Sequence, residues 1–171
     1  MQSLDVANLL ITRYGNEVEL TNLKLNKLVY FAQAISLRKY GTPLFDDEIQ
    51  AWDYGPVEPE VYYAFNQFGS GVIRRPQGDV TIPSDLATNV IRDVMESFGK
   101  LTAFDLVRLS HRDGSAWKNV YVRKANKPIT PEAIIKSRDG EVEGIMDETL
   151  TLGVAQVNRK WPNAMRMLEN S

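Results

Sequence analysis

The segment TNLKLNKLVYFAQAISLRKYG, from Thr21 to Gly41, constrains the fold more than any other part of the chain. At 3.6 residues per turn it places Leu25, Leu28, Val29, Ala32 and Ile35 on one side and Tyr30, Phe31, Ala34 and Leu37 on another. A helix that is apolar on nearly every face has to be surrounded by other elements. The segment therefore predicts a mainly α, compact single-domain bundle around a central buried helix over about 22–40. Leu28, Phe31 and Ala32 are expected at its most inaccessible points. Lys24, Lys27, Arg38 and Lys39 fall toward its ends, where they are expected to reach water.

The remaining sequence supplies helices to do the surrounding. Ser3 reads as the N-cap of a first helix that stops at Gly15, and Pro59 suits the first turn of a helix ended by Gly69. Ser84 opens a helix with the stripe Leu86, Val90, Ile91, Val94, Met95 and Phe98. Thr102 and Asp105 have capping-box spacing, with Asp in place of the usual Glu. Ser115 and Thr130-Pro131 start two more short segments. Between them, GSGVIRRPQGDVTIP is broken by Gly and Pro and predicts either a small β-hairpin near 71–82 or an ordered loop. After Ser137 the pattern loosens, and Pro162 interrupts the last helical stretch. The expected organisation is a domain over 1–136 and a C-terminal helical extension over 137–171 packed on it.

A chain of 171 residues buries enough surface to stand without a staple. It has no cysteine, which excludes disulfides, thiolate metal sites and a cysteine nucleophile. Twenty basic and 22 acidic residues give a net charge of −2, which supplies no global field toward nucleic acid or anionic membranes. No metal is expected: there is one histidine, and Asp46-Asp47-Glu48 lacks the alternating spacing of a calcium loop. No cofactor is expected either, since the glycines at 69, 71 and 78 fit neither phosphate-binding fingerprint. MQSLDVANLL has neither the basic flank nor the apolar run of a secretion signal, and nothing is long enough to span a bilayer. These features together predict a cytoplasmic protein.

Two stretches could carry function. LSHRDGSAW, residues 109–117, holds Ser110, His111, Asp113 and Ser115, the residue types of a hydrolase triad. Triads are defined by spatial roles, however, and Asp113-Gly114-Ser115 also reads as turn chemistry leading into a cap. His111, at a helix end, would have its charged form favoured by the local dipole. The second stretch is AWDYGPVEPEVYYAF, residues 51–65, in which Gly55-Pro56 makes a stiff elbow flanked by aromatics. Trp52 fits the core. Tyr54 fits either a structural corner or the anchor of a protein interface, where tyrosine, tryptophan and arginine dominate.

Three ordered motifs give these stretches a context. LKLNKLVYFAQ, PLFDDEIQAWDYGPVEPEVY and LSHRDGSAW closely resemble the signature of the Panacea domain family, the SocA-like antitoxins and phage-associated GepA-like proteins, over roughly residues 4–136. The resemblance implies a largely helical antitoxin that neutralises a cognate toxin by direct binding. It also allows an adaptor role, since one member delivers its toxin to a bacterial host protease. A phage regulator of some other host protein and a hydrolase remain the alternatives. The resemblance assigns no binding residues. Candidates for the partner face come from the elbow and the third motif: Trp52, Tyr54, Gly55, Pro56, Val57, Tyr62, His111 and Trp117.

Overall fold

The computed structural model describes residues 1–145. Its element order is α1 (Ser3–Tyr14), α2 (Asn22–Ile35) running into a π-helical turn (Ser36–Tyr40), β1 (Ile49–Trp52), β2 (Gly55–Val57), α3 (Pro59–Phe65), α4 (Asp85–Phe98), α5 (Ala103–His111), α6 (Ala116–Val120), β3 (Pro128–Ile129) and α7 (Pro131–Lys136). The protein is mainly helical with one small antiparallel sheet in the order β2-β1-β3. Pro162 and residues 146–171 of the expected extension lie outside the described residues.

α2 is the axis, and α1, α3, α4, α5 and β2 pack round it. Of its fourteen residues all but Leu23 are buried, and Leu28, Phe31 and Ala32 are inaccessible as the pattern predicts. Phe31 stacks on Phe98 of α4 with ring centroids 4.5 Å apart, joining the two helices. Thr21 caps α2 by accepting from the Lys24 amide at 3.2 Å, and Gly41, at φ +71°, ends the helix in the left-handed conformation.

Local capping chemistry sets most of the other helix starts. Ser84, Thr102, Ser115 and Thr130 each accept from the amide three residues on. Asp105 completes the box by accepting from the Thr102 amide at 2.9 Å. Ser3 departs from its expected role: it lies inside the first turn of α1, and its hydroxyl donates to the buried Glu58 carboxylate at 2.5 Å. A tertiary partner has taken the hydroxyl a cap would have used.

The β element is not where the sequence suggested. Residues 71–82 form no strand; they are an ordered loop held on α1, where Asn8 exchanges two hydrogen bonds with the Gln77 backbone. Ile73 is buried there, and its amide donates to Leu20 O at 2.7 Å. The hairpin is the elbow itself: β1 and β2 pair Gln50 with Val57, Ala51 with Pro56 and Trp52 with Gly55. Pro56 is tolerated because β2 is the edge strand, where a missing amide donor breaks no ladder.

The chain after α7 returns to the core. Asp139 is buried, accepts from the Tyr30 hydroxyl of α2 and the Ala116 amide at the start of α6, and so ties three segments together. Burial raises its carboxyl pKa, and these hydrogen bonds oppose that rise.

Candidate functional site

Gly55 fixes how the elbow sits. Its φ is +108°, and a Cβ there would stand 2.6 Å from Ser110 Oγ and 3.0 Å from Lys27 Cε. Only glycine lets the edge strand lie this close to α2 and α5. Beneath the hairpin, Lys27 Nζ donates to Pro56 O at 2.9 Å.

Lys27 was expected to reach water and does not. It is 0% exposed, and burial lowers its pKa to about 7. Lys24 is also buried, with Nζ donating to Gly99 O at 2.8 Å, and burial lowers its pKa as well. The cause is the enclosure of α2 on every side, which leaves even its polar residues covered. Arg38 and Lys39, beyond the end of α2, remain partly exposed and pair with Glu141 and Asp93.

Polar side chains of α2 also hold the segment after the elbow. Asn26 accepts from the Glu58 amide at 3.2 Å and donates to Asn22, and Asn22 donates to Tyr62 O at 3.1 Å. Glu58 caps α3 by accepting from the Val61 amide, and burial raises its carboxyl pKa.

These contacts open a groove of about 520 Å³ between the hairpin turn and α2–α3. Leu23, Trp52, Val57, Tyr62 and Tyr63 form its apolar lining, Lys27 lies at its base, and Tyr54 stands at the turn. Trp52 meets Tyr62 edge-on at 5.0 Å, and Tyr62 meets Tyr63 edge-on at 5.3 Å. Tyr63 is 62% exposed, whereas Trp52, Tyr54 and Tyr62 are half-buried. Trp52, expected in the core, is instead a wall of this groove, with its indole nitrogen donating to Gln50 Oε1 at 2.9 Å.

Eight sequence candidates thus divide into three positions. Trp52, Tyr54, Val57 and Tyr62 line the groove, and Gly55 and Pro56 are buried in the strand beside it. His111 and Trp117 are not in its lining; they support the turn from α5 and α6. Trp117 Nε1 donates to Trp52 O at 2.7 Å, and its ring lies 3.7 Å from His111 and 4.4 Å from Tyr121. The Tyr121 hydroxyl donates to Asp53 Oδ1 at 2.6 Å. Sequence reasoning missed Lys27 and Tyr63 as groove residues. The β-propensity of IQAW followed by Asp-Tyr-Gly was the available signal for the hairpin.

Ser110, His111, Asp113 and Ser115 do not assemble as a triad. His111 Nδ1 is 2.7 Å from Val107 O, which can only accept, so that nitrogen carries the proton. Ser110 Oγ is 3.1 Å from the same Nδ1 and also donates to Val107 O. The serine therefore faces a protonated nitrogen and has no base there. Asp113 is exposed and pairs with Lys118 at 2.5 Å, while Ser115 is the cap of α6. The imidazole is not favoured as a cation either: burial lowers its pKa to about 4, against the expected dipole effect. Desolvation outweighs the helix end.

No group of three or more His, Asp or Glu side chains among the described residues is placed to hold a metal ion. None of the described helices is long and apolar enough to cross a membrane.

Residues 25–118 match the family model described as antitoxin SocA-like, Panacea domain. The chain is also similar to Antitoxin SocA of Caulobacter vibrioides, strain NA1000 / CB15N, with 34% identity over 131 residues, 68% of this chain and 70% of that protein. No solved structure matches the chain. The matched span runs from the first turn of α2 through the elbow and groove to the start of α6.

Proposed function

The chain belongs to the SocA-like antitoxins that carry a Panacea domain, and from that premise we propose that it neutralises a cognate toxin by direct binding, with the elbow and its groove as the docking face. The observation that carries this reading is a half-buried Tyr54 on a hairpin turn, beside an open aromatic groove. Pro56 fixes its own φ, Gly55 is clamped between two elements, and Trp117 and Tyr121 hold the turn through Trp52 O and Asp53. A platform this constrained has little conformational freedom left to lose on binding, so more of the contact energy appears as affinity. The reading is non-enzymatic, consistent with the proton on His111 Nδ1 facing Ser110.

The test is capture of the product of the adjacent gene by folded variants. Tyr54→Ala is expected to weaken binding by about 2 kcal/mol, roughly thirtyfold, with a melting temperature close to that of the unaltered chain. Undiminished capture by folded Tyr54→Ala would reduce the elbow to a structural corner. Toxin abundance followed in cells with and without the major proteases separates simple sequestration from delivery for degradation.

A further inference from the structure

The groove holds directional chemistry that the fold does not use. Its carboxamides on α2 are spent: Asn22 donates to Tyr62 O, and Asn26 joins Asn22 to the Glu58 amide. The carboxylate at its mouth is engaged as well, since Asp53 accepts from the Tyr121 hydroxyl. Two cations remain. Lys27 at the base donates one hydrogen bond, to a backbone carbonyl, and no carboxylate among the described residues pairs with it. Lys124 is exposed at the rim and makes none of the described ion pairs.

The rim has a second feature. Lys124 and Asn126 are the non-glycine residues with positive φ among those described, at +61° and +46°, and both line this groove. Conformations of that kind cost free energy and persist where the surrounding structure demands a particular placement. Here both residues stand in the lining of the aromatic groove.

We propose that the groove docks a protein segment in which a carboxylate stands beside an aromatic or large apolar side chain. The apolar side chain enters among Leu23, Trp52, Tyr62 and Tyr63, and the carboxylate meets Lys124 at the rim. Lys27 deepens the same preference: a buried, uncompensated amine makes the base of the groove hospitable to negative charge and hostile to positive charge. Its Nζ reaches an incoming carboxylate by leaving Pro56 O, a movement its four-carbon stem permits. The volume of about 520 Å³ is that of a ligand-sized cleft, enough for a side-chain cluster rather than a whole helix face. A nucleobase is the poorer fit, because the two carboxamides on α2 that would read its edge are already bonded. This inference deepens the toxin-binding reading by naming the chemistry of the segment the toxin would present.

A display library of random ten-residue peptides, selected on the full immobilised chain, tests it. Peptides enriched on the chain are expected to carry Asp or Glu next to Phe, Trp or Leu. Replacing that acid by its amide should weaken binding at least tenfold, as should Lys124→Glu, an exposed change that leaves the core untouched. Lys27→Met, of similar length and without charge, should weaken the same peptides by a comparable factor. If Lys27→Met does not fold, Lys124→Glu and the amide peptides still decide the matter. Recovery of no peptides, of peptides without the acid, or of peptides indifferent to both lysines overturns the inference. Failure of the toxin reading looks different: the adjacent gene's product does not bind the unaltered chain, while the selected acidic peptides do.

Discussion

Two aromatic clusters meet the same hairpin turn and do opposite things. The cluster from α5 and α6, His111, Trp117 and Tyr121, spends its polar atoms inward: Trp117 on the Trp52 carbonyl, Tyr121 on Asp53, His111 on Val107. The Trp117 ring lies 3.7 Å from a tilted His111 and stacks 4.4 Å from Tyr121, and Trp117 is only 7% exposed. The groove cluster, Trp52, Tyr62 and Tyr63, is arranged edge-on at 5.0 to 6.2 Å, and Tyr63 stands largely in solvent. The Tyr62 and Tyr63 hydroxyls make none of the hydrogen bonds found among the described residues. Aromatic content alone therefore does not mark an interface. On the proposed reading, what separates support from anchor is whether the polar atoms and ring faces are already used.

Removing a ring from each cluster is the direct way to break that comparison. Trp117→Ala should have the largest effect on stability, about 3–5 kcal/mol in chemical denaturation, because it empties a buried site and frees the Trp52 carbonyl. Any loss of partner capture should then track the fraction unfolded. A loss of capture at full folding would move Trp117 into the anchor.

Acidification probes the supporting cluster without deleting an atom. The folded-state pKa of His111 is about 4, below its ordinary 6.5, so on acidification the unfolded chain takes up a proton first. Its contribution is fully present above pH 6.5 and is lost, by up to about 3 kcal/mol, as pH falls toward 4. Glu58 and Asp139, raised by burial, act in the opposite direction, because there the folded chain binds the proton more tightly. The comparison is therefore between the unaltered chain and His111→Gln, in which this acid-dependent loss should disappear. Identical pH profiles would mean that the imidazole is not held neutral by its packing.

The smallest stability effect belongs to the groove. Tyr63→Ala should leave unfolding free energy within about 0.5 kcal/mol, since the ring is mostly exposed, while weakening partner capture severalfold. A destabilisation on the scale of Trp117→Ala would erase the distinction between the two clusters.

The sequence by itself determined the elements whose causes are local. Thr21, Ser84, Thr102, Ser115 and Thr130 cap helices because each hydroxyl bonds an amide three residues away, whatever the rest of the chain does. The burial of α2 was legible too, because a helix apolar on all sides has one stable environment. The motifs at residues 25–118 named the family for a related reason: they sit on that axis and on the elbow that packs against it.

Tertiary structure decided the rest. The elbow read as a bend because Gly55 and Pro56 argue against a strand; only the position of β2 at a sheet edge makes both acceptable. Ser3 had the spacing of a cap, but Glu58, fifty-five residues away, claimed its hydroxyl. His111 had a helix end to favour its charge, and Trp117 with its other neighbours desolvated it instead. Lys27 is the clearest case. Lysine ordinarily reaches water, and nothing within its own helix says otherwise. Its ammonium is enclosed because the hairpin, twenty-nine residues on, closes over α2 and presents the carbonyl of Pro56. Burial and charge state depend on what arrives from elsewhere in the chain, and local pattern carries no record of that arrival.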